Sequence, residues 1–158
     1  MTTTTTTLRV HAIDPARLDA IRATGEDDGG NPFTPFPASG EGEPLRCCLR
    51  FARAGEDIAL ISYAPFRERS PWREVGPVYV HAERCEGPGG PRVPAGLSRG
   101  PLLLRTYRAD GSMDYAHHTL IGAEAVEPML EDLLDHEEVA TVHVRTVLPQ
   151  CFLYAVTR

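Results

Sequence analysis

Lysine is absent from this chain of 158 residues; all 16 basic residues are arginine. Without a side-chain amine, Schiff-base chemistry, a lysine nucleophile and the phosphate-binding P-loop with its lysine are excluded. Long apolar runs are missing as well. No stretch approaches the ~20 residues that span a bilayer, and Met1 with Thr2 to Thr7 lacks the basic and apolar regions of a signal peptide. These absences predict a cytoplasmic protein in which Cys47, Cys48, Cys85 and Cys151 are thiols. Excess positive charge is lacking too. A net charge of -6, with acidic residues spread widely, argues against nucleic acid and anionic membrane as partners. G-x-S-x-G, a G-x-G-x-x-G after a strand and C-x-x-C are all missing, so no motif asks for a cofactor.

What is present fits one globular domain over residues 8–158, after a disordered low-complexity tail at 1–7. Leu8 to Ile13 reads as a strand. Asp14 offers an N-cap, Pro15 sits at the first helical position and Gly25 ends a short helix. Residues 25–44, rich in Gly, Pro, Asp and Glu, read as a long loop. Strands are expected at Leu45–Phe51, Ile58–Tyr63, Val78–Ala82, Leu102–Arg108 and Met113–Leu120, with turns at Gly55-Glu56 and Asp110-Gly111. Gly87 to Gly100 is a Pro/Gly-rich surface loop. Val126, Met129, Leu130, Leu133 and Leu134 repeat at helical spacing, with Pro128 confined to the first turn. Val139–Arg145 and Cys151–Val156 close the chain as a hairpin. The fold class is therefore α+β: a mainly antiparallel sheet, two helices and long Pro/Gly-rich loops.

Alternation assigns faces. Val142 and Val144 point one way and Thr141, His143 and Arg145 the other. The same rule sets Tyr79 and His81 opposite Val78 and Val80, and Arg105 and Tyr107 opposite Leu102 and Leu104. It also sets Arg46, Cys48 and Arg50 opposite Leu45, Cys47, Leu49 and Phe51. If these strands share a sheet, Arg46, Arg50, Tyr79, His81, Arg105, Tyr107, His143 and Arg145 lie on one face. Arginine forks grip carboxylate or phosphate, and His and Tyr add directional hydrogen bonds. The competing reading is a solvated face whose arginines pair with loop carboxylates. A metal site is the weaker expectation: His81 with Cys85, joined by His143 and Cys151, offers zinc-competent donors without a C-x-x-C, and none is assigned. Cys151 beside His143 or Arg145 is a candidate reactive thiol, set against a packed, inert one. The acidic run GEDDGGN from Gly25 lacks a glutamate at the twelfth position of a calcium loop and reads as solvated.

Several short pieces together resemble an uncharacterised bacterial family, domain of unknown function 1203, over roughly Leu8 to the end. They are Arg46-Cys47-Cys48-Leu49, Gly55-Glu56, Tyr63 with Pro65-Phe66, Ser70-Pro71-Trp72, and Gly76 to His81 with Cys85. Arg105 with Tyr107, Asp110-Gly111, Gly122, and His143-Val144-Arg145 with Cys151 complete the order. Thr146 and Gln150 depart from it, standing where the family tends to have Asn and Gly. The resemblance implies no activity.

Two functional readings follow. In the first, a small anionic metabolite is bound, with or without transformation, on the Arg/His/Tyr face. Arg46, Arg105, Arg145, Tyr79 and Tyr107 would bind it, with His143 or His81 as general acid/base. On that reading Arg145→Ala abolishes binding and leaves stability nearly unchanged. In the second, the chain is a non-catalytic homodimeric interaction domain that pairs through an exposed edge strand or the same sheet face; Trp72 and Phe66 either anchor that interface or fill the domain core.

Overall fold

A computed structural model describes residues 7–97 and 99–158; all of the expected disordered tail but Thr7 lies outside the described residues. In chain order the elements are β1 (Arg9–His11), α1 (Pro15–Thr24), β2 (Phe36–Pro37), β3 (Pro44–Leu45), β4 (Arg50–Phe51), β5 (Asp57–Tyr63) and β6 (Gly76–His81). There follow β7 (Leu102–Tyr107), β8 (Thr119–Ile121), a 3-10 turn (Ala123–Ala125), α2 (Val126–Asp135), β9 (Thr141–Thr146) and β10 (Phe152–Thr157). The fold is α+β, but the strands form two five-stranded sheets, not one. The first has the order β1-β10-β9-β7-β8, antiparallel throughout. The second, β2-β5-β6-β3-β4, is antiparallel except where β3 runs parallel to β6 at Leu45 and Tyr79. No helix among the described residues is long and apolar enough to cross a membrane.

Local chemistry sets the helix ends as expected. Asp14 Oδ1 accepts from Ala16 N at 2.9 Å, and Gly25, at φ 73°, donates its N–H to Ile21 O at 2.8 Å. Pro128 lies in the first turn of α2, where an intrahelical donor is not needed. Each helix serves one sheet. Leu130, Leu133 and Leu134 of α2 pack on Leu102, Leu104, Val142, Val144 and Val156 of the first. Leu18 and Ile21 of α1 join Ile58, Ile61, Val78 and Val80 of the second.

Three expected segments differ. The strand at 45–51 is broken by a tight turn over 46–49, closed by Leu49 N donating to Leu45 O at 2.9 Å, with Leu49 at φ 58°. The turn has a packing reason: Leu45 belongs to the core of the second sheet and Leu49 to that of the first. A continuous strand would send both to one face. Met113–Leu120 contracts to β8 because buried Asp114 gathers Thr106 Oγ1, Ala116 N and the His117 ring, winding residues 114–118 out of the sheet. The loop at 25–44 contains β2 and, though most of its residues stay exposed as expected, is anchored at one acidic position. Asp27 is buried and accepts hydrogen bonds from Gly29, Asn31 and Ser62.

The faces of the first sheet explain what alternation cannot. A bulge at Leu153 pairs Phe152 with Arg145 and Tyr154 with Val144, turning Phe152 onto the face opposite α2. That face is a second interior. Phe66, from the segment after β5, lies 4.8 Å from the Tyr107 ring and 4.9 Å from His143, and Tyr63 packs on Phe152 at 5.8 Å.

Candidate functional site

The residues expected to share one polar face divide into three places. Arg105, Tyr107, His143 and Arg145 do share a face of the first sheet, with Arg105 paired to His143 across β7 and β9. Tyr79, His81 and Arg50 belong to the second sheet. Arg46 lies in the turn between β3 and β4, buried, donating from Nε to Phe152 O at 2.7 Å and from Nη1 to Pro44 O. It ties the sheets together and presents no fork to solvent. Tyr79 spends its ring on Phe36, edge to face at 6.5 Å.

Arg105 and Arg145 meet at a cleft of about 550 Å³. Its walls include Tyr63, Pro65, Glu74, Gln150, Cys151 and Phe152. Both forks converge on one carboxylate: Arg105 Nη1 reaches the two Glu74 oxygens at 2.7 and 2.8 Å, and Arg145 Nη2 reaches Glu74 Oε2 at 2.7 Å. Gln150 serves both arginines as well, its side-chain oxygen accepting from Arg105 and its carbonyl from Arg145, each at 2.9 Å. Burial opposes the Arg105 charge, yet Tyr107 and Glu74 hold its pKa above the ordinary value. Arg145 is drawn down, by burial first and then by Arg105. Arg145 is only 6% exposed, so its removal would disturb packing as well as any ligand; the expectation of unchanged stability does not survive this burial.

Glu74 stands on the segment joining β5 to β6, whose Trp72 donates its indole N–H to Tyr115 Oη at 3.0 Å. Residue-by-residue alternation could not find Glu74, which precedes its strand. Gln150 sits at φ 56°, in the left-handed region. That conformation gives glycine a reason to stand there, and here glutamine's side chain is put to use. Thr146 Oγ1 accepts from Cys151 N at 2.9 Å and fixes the same turn.

Neither candidate acid/base lines this cleft. His143 is buried between Phe66, Tyr107 and Phe152, its Nδ1 unpartnered. Burial, with Arg145 and Arg105 nearby, pushes its pKa well below the ordinary value, so it is neutral at pH 7. His81 lies in a different cluster. The ligand atoms of Cys47, Cys48, His81 and Cys85 all fall within 4.8 Å of one another. The sequence paired His81 with Cys85 correctly, but His143 and Cys151 are not members of this cluster, and Cys47 and Cys48 are. Their turn sets adjacent side chains on the same side, which a strand forbids. Hydrogen bonding with Cys48, then burial, pushes the Cys47 thiol up; the same contact draws Cys48 down, and burial raises Cys85. Glu56, chelated by Arg50 at 2.6 and 2.9 Å, is held down at about 2 by that contact.

A family model described as "Protein of unknown function (DUF1203)" matches residues 42–158, from just before β3 to the end of the chain. The match takes in both the arginine cleft and the cysteine cluster and leaves β1, α1 and β2 outside. No curated protein and no solved structure matches.

Proposed function

This chain belongs to the DUF1203 family, whose description carries no activity, and from its own geometry we propose that it binds a compact carboxylate or similar anion between Arg105 and Arg145. The observation that carries this reading is the sharing of one carboxylate by two guanidinium groups at a cleft. Two positive charges against Glu74 leave one in excess, and among the described residues no other carboxylate is ion-paired with either arginine. A planar oxyanion matches the forks as Glu74 does. Glu74 acts on this reading as an internal competitor, 44% exposed and carried by an irregular segment, which an incoming anion displaces.

This is binding rather than turnover, since neither His81 nor His143 lines the cleft. On this reading the protein works in the cytoplasm, where small organic acids and phosphates are abundant. A dimer anchored by Phe66 and Trp72 has less to support it, because Phe66 packs on Tyr107 and His143. Sedimentation across a range of concentrations reads that alternative directly.

Calorimetric titration with malonate, citrate and inorganic phosphate tests the anion site. The wild type should bind weakly. Glu74→Ala should bind at least one of the three roughly tenfold more tightly, worth about 1.4 kcal/mol. Adding Arg105→Met, which keeps an apolar stem of similar length, should abolish the gain. Equal behaviour of Glu74→Ala with and without Arg105→Met, both folded by circular dichroism, would refute the reading.

A further inference from the structure

We propose that Cys47, Cys48, His81 and Cys85 form a closed tetrahedral site for one zinc ion, independent of the anion cleft. Three thiolates and one imidazole are a structural zinc set, leaving no coordination position for water or substrate. The spacing fits. Zinc bonds of about 2.3 Å to sulfur and about 2.0 Å to nitrogen give tetrahedral edges of about 3.8 Å between sulfurs and about 3.5 Å between sulfur and nitrogen. Here Nδ1 of His81 stands 3.4 Å from Cys47 Sγ and 3.8 Å from Cys48 Sγ, and all four donors fall within 4.8 Å. Small side-chain adjustments complete the tetrahedron.

The backbone explains how donors so far apart in sequence converge. The turn over 46–49 presents two consecutive cysteines on one side, with Leu49 in the left-handed region closing it. The parallel pairing of Leu45 with Tyr79 lays that turn beside the end of β6, where His81 stands. Cys85 follows from the irregular segment beyond. His81 N donates to Cys47 Sγ at 3.3 Å, the kind of backbone contact that stabilises a thiolate.

A carboxylate able to serve as the outer partner stands close by. A ligating histidine usually gives its other ring N–H to a carboxylate, which fixes the tautomer and strengthens the ligand. His81 Nε2 lies 3.7 Å from Glu56 Oε1, and Glu56 is itself held by Arg50. Arg50 Nη2, at 3.3 Å from Nε2, is the cation in this shell. With metal on Nδ1, Nε2 carries the proton, so the Arg50 Nη2 that faces this nitrogen shifts aside before the proton reaches Glu56. On binding, the thiols that are still protonated release their protons to solvent and the metal takes their place; no oxidant or reductant is involved.

The test uses tag-free protein purified under reducing conditions. Elemental analysis should find about one zinc per chain. After chelator stripping, titration with cobalt(II) should produce the strong visible bands of tetrahedral cobalt and the near-ultraviolet charge transfer of thiolate ligation. Cys48→Ser and Cys85→Ser should each weaken both signals, Cys151→Ser should leave them intact, and Glu56→Gln should lower cobalt affinity roughly 10- to 100-fold. Protein that contains no zinc as isolated and gives no tetrahedral cobalt spectrum overturns the site. So does a spectrum equally strong in Cys48→Ser and Cys85→Ser, or a Cys47–Cys48 disulfide recovered from reduced, folded protein. Anion titrations on the zinc-bound protein keep this outcome separate from the arginine cleft, because neither set of variants touches the other's residues.

Discussion

Arg46→Ala should cost about 3–5 kcal/mol of stability, measured as the loss in urea unfolding free energy. Arg46 is 3% exposed, and its hydrogen-bond partners are the carbonyls of Phe152 and Pro44. Truncation leaves the buried Phe152 carbonyl without this donor, at roughly 1–3 kcal/mol, strips a charged donor from the part-buried Pro44 carbonyl, and opens a void the length of the side chain between the sheets. Burial already draws the Arg46 pKa down to about 10, so it remains charged at neutral pH and draws strength from charge-assisted bonds. Arg46→Lys should recover only part of the loss, because an ammonium cannot reproduce the fixed fork that spans Pro44 and Phe152. A loss below about 1 kcal/mol in the alanine variant would mean that water replaces the guanidinium at both carbonyls.

Asp27→Ala should be the second large loss, about 2–4 kcal/mol. One Asp27 oxygen accepts from Gly29 N, Asn31 N and Asn31 Nδ2, and the other from Ser62 N at 2.7 Å. The contacts sew the acidic loop to β5, so alanine strands backbone donors at both ends. Burial alone would raise this carboxyl, but the hydrogen bonds outweigh it and the pKa lies below its ordinary 3.8. A folded value below the unfolded one means the stabilisation is full above the unfolded pKa and is lost as pH falls through the folded pKa. The stability gap between wild type and Asp27→Asn should therefore narrow as the pH drops below about 4. A gap that stays constant down to acid unfolding would show that Asp27 acts by shape and not by charge.

Elements with strong local signals were legible in the sequence. Asp14-Pro15 and Gly25 bound α1, the apolar spacing from Val126 to Leu134 makes α2, and β5, β6, β7, β9 and β10 fall within about two residues of expectation. What alternation cannot carry is which strands share a sheet and whether the polar face is itself covered. Phe66 lies far from His143 in sequence, so nothing local announces that the face is interior. Arg105 and Arg145 were found because they sit in regular strands; Glu74 and Gln150, their partners, sit in irregular segments. Cys47 and Cys48 read as strand residues because Leu45, Cys47, Leu49 and Phe51 alternate well, while a left-handed leucine has no sequence signature.

Trp72 is the sole tryptophan, two residues before Glu74, and its indole is tethered to Tyr115. The protein thus carries its own optical gauge. Indole emission responds to the polarity around the ring and to its hydrogen bond, and the tether ties both to the segment that carries Glu74. A shift in emission on adding an anion would time the opening of the cleft by stopped flow, with no label and no second fluorophore of the same kind to unmix.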